Sequence, residues 1–354
     1  MNNWRNYVRR VEPYVPGEQP KDTNIIKLNT NENPYPPAPM VEEAMKKMES
    51  EPLRLYPDPV CGELNEALAQ YHGVEIENVF TGVGSDDVLS MIFLTFFNSD
   101  KPVLFPDITY SFYKVWANVY KIPYETPALN EEFRINVEDY CRENGGIVIA
   151  NPNAPTSIYE DLDFIRQILD TNKDSIVVID EAYIDFGGVS AANLLGEYDN
   201  LIVVRTFSKS RSLAGLRVGY ALASKEIIKA INDVKYSINS YTLNMPSLKL
   251  ATLAVKSAEY YDGISQKIIN TRENTKKELE QLGFNCLPSK ANFLFAKHNT
   301  IPAADIFAAL KKEGIYVRYF NAPRINEYLR ITIGTDEEME KVIEFLKGFV
   351  YESI

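Results

Sequence analysis

The sequence of 354 residues predicts an α/β protein, in which a large domain has a mainly parallel sheet between helices and a second, smaller domain is α+β. Short runs rich in β-branched residues alternate with helical patterns between residues 79 and 222. Strands of this kind are typical of parallel sheets covered by helices on both faces. The pattern changes after Gly283, where further strands and helices indicate a smaller unit. We therefore expect an N-terminal arm with part of the small domain at 1–39, the large domain at 40–282 and the small domain at 283–354.

The N-terminal arm is expected to be extended. Residues 12–39 contain seven prolines and show little periodicity. Proline lacks a backbone donor and interrupts helices, so this stretch favours an irregular conformation over a packed element. The amphipathic run at 40–50 then predicts the first helix.

The large domain is expected to alternate strands and helices in chain order. Apolar runs predict strands at 79–81, 102–106, 146–150, 175–179, 201–204 and 218–222. Helical patterns between and after these runs lie at 86–97, 110–120 and 160–171, and from Lys225 onward. This alternation is the signature of strand–helix–strand units.

The C-terminal third begins with long helical patterns over 246–282, with an expected break near 261–263, where a glycine lies. Strands are then predicted at 292–295, 315–318 and 328–333, and helices at 303–313 and 336–349. We expect part of the N-terminal arm to join this smaller α+β unit.

Composition excludes several classes of function. The net charge of −12 and the pI near 4.9 leave no basic surface for nucleic acid, since phosphates are bound through lysine and arginine. No apolar run approaches the roughly 20 residues that a membrane span requires. The first residues lack the apolar core of a signal peptide, so we expect a cytoplasmic protein.

Cysteine and histidine are scarce. Three widely spaced cysteines indicate neither a disulfide framework nor a zinc site. Two histidines are too few for a metal cluster and leave little scope for histidine-based acid–base chemistry. We expect no metal, and any proton transfer must use another group.

The most informative segment is 205–217 (RTFSKSRSLAGLR), in which Lys209 follows a predicted strand and Arg217 lies eight positions later. Asp180 ends another strand, and Asn153 follows a third. Because the carboxyl ends of parallel strands meet at one edge of a sheet, we expect these residues to lie close together. A lysine there can hold an aldehyde cofactor as a Schiff base. A buried carboxylate such as Asp180 can keep the nitrogen of a pyridine ring protonated.

Other residues suit the remaining parts of such a cofactor. A phosphate is bound by amides at a helix N-terminus together with hydroxyls and a guanidinium. The candidates are Gly84, Ser85, Asp86, Thr206, Ser208 and Arg217. Tyr183 and Asn153 could donate to a phenolic oxygen, and Tyr110 could stack on the ring. Taken singly, each of these residues is as readily explained as a surface or core residue.

Together, these motifs resemble those of the fold type I pyridoxal-phosphate aminotransferases, and within them those of the histidinol-phosphate aminotransferases. The motifs follow the family order over nearly the whole chain: 28–34 (LNTNENP), 54–57 (RLYP), 82–86 (GVGSD), 151–156 (NPNAPT), 180–183 (DEAY), 208–209 (SK), 214–217 (AGLR) and 329–334 (LRITIG). Any one of these motifs alone would be weak.

The resemblance implies pyridoxal 5′-phosphate as the cofactor and roles for particular residues. Lys209 would be the Schiff-base lysine, and Asp180 the partner of the ring nitrogen. Tyr56 would reach the cofactor phosphate from a neighbouring subunit, which implies a homodimer. Arg330 would bind the acidic end of the substrate, with Arg318 as a second arginine for a substrate phosphate. Where the arm closes over the substrate, the family places two further residues, Tyr14 and Asn31.

The sequence departs from the family at 153–157, where NAPTS replaces the usual NNPTG. The asparagine that contacts the cofactor usually precedes the proline, and here that position is Ala154. Either Asn153 takes over or the hydrogen bond is missing, and we expect Asn153 to take over.

The resemblance implies an aminotransferase that interconverts L-histidinol phosphate and 2-oxoglutarate with imidazole-acetol phosphate and L-glutamate, in histidine biosynthesis. Another enzyme of the same scaffold remains an alternative: a phospho-amino-acid decarboxylase, an aromatic aminotransferase or an aminotransferase for another oxo-phosphate. A non-catalytic regulatory module that binds the cofactor is a third reading. A nicotinamide dehydrogenase is disfavoured, because the glycine fingerprint at 82–87 lacks its third glycine.

Overall fold

The computed structural model describes residues 3–22 and 24–353. The described strands are β1 (Ile26–Lys27), β2 (Val79–Gly82), β3 (Val103–Leu104), β4 (Tyr124–Glu125), β5 (Gly146–Ala150), β6 (Val177–Asp180), β7 (Leu201–Thr206), β8 (Gly219–Ala223), β9 (Phe284–Cys286), β10 (Phe293–His298), β11 (Ile315–Tyr316), β12 (Arg318–Tyr319) and β13 (Leu329–Thr332). The described α-helices are α1 (Pro39–Lys46), α2 (Gly62–His72), α3 (Gly84–Phe96), α4 (Phe112–Tyr120), α5 (Leu162–Thr171), α6 (Lys225–Ile238), α7 (Met245–Lys256), α8 (Ala258–Gln281), α9 (Ala303–Lys312) and α10 (Asp336–Ser353).

The large sheet has seven strands in the order β2-β8-β7-β6-β5-β3-β4. Only β8 runs against its neighbours, and the other pairs are parallel. Successive residues of a central strand enter different cores: Ile147 packs on one face of the sheet and Val148 on the other. Helices α2, α5 and α7 contribute to the first core, and α3, α4 and α6 to the second. The predicted parallel sheet between helices is confirmed.

Capping and side-chain spacing explain the helices on both faces. Asp161 accepts a hydrogen bond from the Phe164 amide and begins α5, and such a cap contributes about 1 kcal/mol. The buried residues of α4 are Tyr113, Trp116 and Ala117, at the i, i+3, i+4 spacing of a helix that packs one face on a sheet. That spacing turns the Tyr113 side chain toward the sheet.

The smaller unit is built on a four-stranded antiparallel sheet in the order β12-β13-β10-β9. Its core includes residues of α8, α9 and α10. The N-terminal segment joins this unit, because β1 pairs in parallel with β11. The α+β character is confirmed, whereas the boundary at residue 282 stays a prediction, since α8 contributes Tyr261 to the large core and Ile268 to the small one.

The strand predicted at 315–318 is two strands, β11 and β12, which belong to different sheets. A predicted helix break is also misplaced. The long helical segment breaks at Ser257, which ends α7, and not near 261–263. Gly263 lies inside α8, where a side chain would meet no neighbour. A glycine within a helix is less favourable than alanine by about 1 kcal/mol, which a helix of this length tolerates.

Among the helices of the described residues, none combines the length and the apolar character needed to cross a membrane.

Candidate active site

A cavity of about 1210 Å³ lies at the carboxyl edge of the large sheet, between this edge, the N-terminal segment and residues 318–330. It brings together thirteen of the predicted site residues: Tyr14, Asn31, Ser85, Asp86, Tyr110, Asp180, Tyr183, Thr206, Ser208, Lys209, Arg217, Arg318 and Arg330. Gly84, Asn153 and Tyr56 are not part of its lining.

Lys209 follows β7 and is held by the N-terminal segment. Its Nζ donates to the Thr30 carbonyl at 3.1 Å, and its own carbonyl accepts from Asn33 Nδ2 at 3.0 Å. The amine lies 5.7 Å from the centre of the Tyr183 ring. The lysine therefore lines the cavity from the carboxyl edge of the sheet, and its position depends on residues that are distant in sequence.

Asp180, the last residue of β6, is buried on the cavity wall with one carboxylate oxygen unpaired. Its Oδ2 accepts from the Tyr113 hydroxyl at 2.8 Å, whereas the buried Oδ1 has no hydrogen-bond partner among the described residues. Burial raises the pKa of Asp180 to about 6, against the opposing effect of the Tyr113 hydrogen bond. A buried, unpaired carboxylate oxygen calls for a donor, and a protonated ring nitrogen is such a donor.

The opposite end of the cavity suits a phosphate. Arg217 Nη1 lies 3.3 Å from Ser208 Oγ, and Thr206 Oγ1 accepts from the Ser208 amide at 3.1 Å. Helix α3 begins beside them at Gly84, whose φ of +83° and close approach to Arg217 leave no room for a side chain. Helix amides, hydroxyls and a guanidinium converge there, the donor set that phosphate groups prefer.

Asp86 orients its neighbours at this end. Its Oδ1 accepts from the Tyr110 hydroxyl at 2.8 Å, and its Oδ2 lies 3.1 Å from Arg217 Nη2. Burial, and then the nearby Asp86 charge, raise the pKa of Tyr110, so its hydroxyl stays a donor. The Tyr110 ring is held edge-to-face against Tyr113 at 5.6 Å.

Tyr183 follows β6 and presents its hydroxyl to the cavity, where it accepts from Asn31 Nδ2 at 2.9 Å. Asn153 is oriented differently from what the sequence led us to expect. Its Nδ2 donates to the Ile108 carbonyl at 3.0 Å, in the segment after β3, and to Thr156 Oγ1 at 2.9 Å, in its own loop. Ala154, which has no donor, lines the cavity in its place.

The small sheet contributes two arginines to the cavity. Arg318 on β12 lies directly opposite Arg330 on β13. Arg330 Nη2 donates to the Asn29 carbonyl at 2.9 Å, and its buried Nε has no partner among the described residues. Burial, and also the Arg318 charge, lower the pKa of Arg330. Within residues 3–22 and 24–353 neither arginine pairs with an acid, so together they form a site for an anion.

The N-terminal arm crosses the cavity, and Tyr56 lies outside it. Tyr14 stacks on Phe112 with ring centres 4.2 Å apart. The side chain of Tyr56 is 81% exposed. Among the aromatic rings of the described residues, its ring contacts only that of Tyr241, with ring centres 4.7 Å apart.

Sequence reasoning missed three residues that hold Lys209 and Asp180 in place. Thr30 and Asn33 contact Lys209, and Tyr113 contacts Asp180. Thr30 and Asn33 lie in the motif at 28–34, and Tyr113 is a polar-tipped residue on the apolar face of a predicted helix. Thr30 acts through its backbone carbonyl, which carries no residue-specific signal.

Comparison with known proteins identifies the family. The family model of the class I and II aminotransferases matches residues 23–346. Histidinol-phosphate aminotransferase of Clostridium acetobutylicum is 54% identical over 344 residues, which cover 97% of this chain and 98% of that protein. The enzyme of the same name from Clostridium beijerinckii is 51% identical over 344 residues, or 97% of this chain and 96% of that protein.

Solved structures share the fold. A crystal structure of histidinol-phosphate aminotransferase from Sinorhizobium meliloti in complex with pyridoxal-5′-phosphate superposes with a TM-score of 0.84 at 23% identity, covering 93% of this chain and 92% of that one. L-threonine-O-3-phosphate decarboxylase from Porphyromonas gingivalis superposes with a TM-score of 0.78 at 20% identity, covering 92% and 100%. Because the fold is common to transaminases and decarboxylases, the family rests on the sequence matches: this chain belongs to the class I and II aminotransferases and, within them, to the histidinol-phosphate aminotransferases.

Proposed function

We propose that this enzyme transfers an amino group between L-histidinol phosphate and 2-oxoglutarate, giving imidazole-acetol phosphate and L-glutamate, a step of histidine biosynthesis. One observation carries the proposal. A single cavity contains Lys209, the unpaired Oδ1 of Asp180 and an arginine pair without an acidic partner among the described residues. Identity of 54% to a histidinol-phosphate aminotransferase supports the substrate.

Pyridoxal 5′-phosphate is the cofactor of this family, and the cavity fits it. Asp180 Oδ1 would accept the proton of the ring nitrogen, and the donor set around Ser208 and Arg217 would hold the phosphate. When bound, the cofactor supplies an aldehyde for covalent attachment of amines and a ring that takes up electrons. Tyr183 would donate to the phenolic oxygen, and since Ala154 cannot donate, we propose that Tyr183 is the only side chain that does so.

Lys209 would serve both as the attachment point and as the proton carrier. Once displaced by the incoming substrate amine, the free lysine amine would move a proton between the substrate carbon and the cofactor carbon. Neither histidine of the chain lines the cavity, which supports the lysine as the carrier.

The arginine pair would bind either of two acidic groups at the same place. Guanidinium forks fit both carboxylates and phosphates. Arg330 and Arg318 could therefore bind the distal carboxylate of glutamate in one half-reaction and the substrate phosphate in the other. Successive use of one site implies ping-pong kinetics.

We further propose a cytoplasmic homodimer. Tyr56 is exposed and remote from its own cavity, which suits a role at the cofactor phosphate of a neighbouring subunit. The three cysteines are free thiols, which suits a reducing compartment.

A covalent-labelling experiment tests the cofactor site. Purified protein loaded with pyridoxal phosphate should absorb near the violet edge of the visible range, and borohydride should then fix the label to the peptide that carries Lys209. Lys209→Ala should lose the label and the activity. A Lys209→Ala protein that turns over at the wild-type rate would overturn the assignment.

A substrate panel tests the reaction. The amine-loaded enzyme is offered imidazole-acetol phosphate, other oxo-phosphates and aromatic oxo-acids, and amine transfer and carbon dioxide are followed together. We expect the largest kcat/KM for imidazole-acetol phosphate without carbon dioxide release. Release of carbon dioxide from a phospho-amino acid would identify a decarboxylase instead.

A further inference from the structure

The hydroxyl of Tyr113 makes the single side-chain hydrogen bond to Asp180 among the described residues. It donates to Oδ2 at 2.8 Å, from the first turn of α4 to the end of β6. The Tyr113 side chain is fully buried and does not line the cavity. It therefore contacts one oxygen of a carboxylate whose residue lines the cavity and whose other oxygen has no partner among the described residues.

The surroundings of Tyr113 fix where its hydroxyl lies. Its ring is packed among Tyr110, Phe105 and Phe93, with ring centres 5.6, 5.8 and 6.3 Å away. Burial and the Asp180 charge raise its pKa well above the ordinary value, so the hydroxyl keeps its proton. A donor held in this way selects one of the two oxygens of the carboxylate and leaves Oδ1 without a partner among the described residues.

The same hydrogen bond influences the charge of Asp180. Burial and the Asp86 charge favour the neutral carboxyl, whereas the Tyr113 hydroxyl and the Ala182 amide favour the carboxylate. Tyr110 and Tyr183, the other titratable groups that face Tyr113, carry no positive charge to help. A hydrogen bond to a charged group is stronger than one between neutral groups, so removal of this donor shifts the balance toward the neutral form.

We propose that Tyr113 is a positioning residue, which aims Asp180 Oδ1 into the cavity and holds Asp180 as a carboxylate, so that the cofactor's ring nitrogen keeps its proton. The inference rests on the proposed function, since it needs pyridoxal phosphate at this site. Tyr113 touches neither substrate nor cofactor, and it acts only through Asp180.

The test replaces Tyr113→Phe, which removes the hydroxyl and retains the ring. Tyr140→Phe is the matched control, because Tyr140 is equally buried and its hydroxyl has no hydrogen-bond partner among the described residues. Each protein is loaded with pyridoxal phosphate that carries ¹⁵N in its ring, and the nitrogen chemical shift is followed from acid to alkaline pH.

We expect the wild type and Tyr140→Phe to keep a protonated ring nitrogen at neutral pH. Tyr113→Phe should lose that proton at a lower pH and bind the cofactor about tenfold more weakly, as expected for a lost hydrogen bond to a charged group. Incorporation of 3-fluorotyrosine at position 113, a stronger donor of the same shape, should move the titration in the opposite direction, and it tests the proposal even where Tyr113→Phe folds poorly.

A double-mutant cycle separates positioning from general support of the fold. In an Asp180→Asn background, Tyr113→Phe should change cofactor affinity less than twofold, because its partner carboxylate is already gone. A full tenfold loss in that background, or an unchanged nitrogen titration in the Tyr113→Phe protein, would overturn the inference alone. Failure of the wild type to attach the cofactor at Lys209 would overturn the proposed function and this inference together.

Discussion

The side chain of Asp180 is buried without a cationic partner among the described residues, and this decides its behaviour in the cofactor-free protein. Desolvation disfavours the carboxylate, and the Tyr113 hydrogen bond offsets only part of this free-energy cost. A protonated ring nitrogen would supply the missing partner. Part of the free energy of cofactor binding therefore comes from relief of an unfavourable charge that the folded chain already contains.

The pH dependence of stability should report this charge. The pKa of Asp180 is about 6 in the folded chain, above its ordinary value, so the folded state binds the extra proton. Its stabilising contribution is complete below the ordinary pKa and is lost as the pH rises through about 6. In cofactor-free protein, Asp180→Asn should therefore gain about 2 kcal/mol relative to the wild type between pH 4 and pH 8, measured by unfolding at each pH. A difference between the two proteins that does not change with pH would contradict this.

Arg330 offers a second test at a single residue. Arg330→Ala removes a guanidinium that faces the cavity without an acidic partner among the described residues. KM should rise roughly tenfold or more for both glutamate and the phosphate substrate, because each loses a charge-assisted hydrogen bond. Arg166→Ala, an exposed arginine paired with Glu197, is the control and should leave both KM values unchanged. A rise for one substrate only would show that the two acidic groups use different anchors.

Two elements, β8 and α3, meet without a side chain between them at the phosphate end of the cavity. A Cβ on Gly219 would overlap the backbone at Ser85, in the first turn of α3. Gly219→Ala should therefore displace the start of α3, lower stability by about 1–3 kcal/mol and weaken cofactor binding. Thermal unfolding and a cofactor titration check this. Gly196→Ala, where an added Cβ meets no neighbour, should behave as the wild type in both measurements.

The elements that the sequence predicted well are those whose pattern is local. The central strands β5, β6 and β7 are continuous apolar runs, and the confirmed sheet was predictable from them. Strands such as β4 and β9 have two or three residues, too few to leave a pattern, and they form because a neighbouring strand pairs with them. The helices meet at Ser257, which ends α7 and precedes α8, so the glycine at 263 was a misleading signal.

The candidate site was predictable where its residues follow strands of the predicted sheet, and not where its contacts join distant segments. Lys209 and Asp180 follow strands of one parallel sheet, so their closeness follows from a rule of the fold. The contacts of Lys209 with Thr30 and Asn33 join segments far apart in sequence, and no local pattern encodes them. Whether Asn153 turns toward the cavity or toward its own loop depends on hydrogen bonds to Ile108 and Thr156, which appear only once the loop is folded.

The whole molecule has an exposed apolar surface near Tyr56. Side chains around it are more than half exposed although they are apolar: Leu53, Leu55, Val60 and Ile238. Apolar surfaces of this kind mark contacts with other proteins, and a second copy is the occupant that the proposed role of Tyr56 requires.

Mixing of chains that carry different single substitutions tests a shared site. If Tyr56 completes the cavity of the partner, a hybrid of Lys209→Ala and Tyr56→Ala chains contains one intact site and one doubly defective site. An equal mixture that exchanges subunits freely should then recover about a quarter of the wild-type activity. Lys209→Ala mixed with Arg330→Ala is the control and should show no activity beyond that of the Arg330→Ala chains alone, since both residues line the same cavity. No recovery in the first mixture would contradict a shared site.

The cavity is lined by residues from Glu12 to Arg330, so its walls come from both ends of the polypeptide. The ribosome must have synthesised and released almost all of the chain between these residues before the cavity can form. A message interrupted by an early stop codon would therefore yield no partly working enzyme. The nascent chain cannot bind pyridoxal phosphate until synthesis is nearly complete. The supply of pyridoxal phosphate would then influence the finished protein and not the nascent chain.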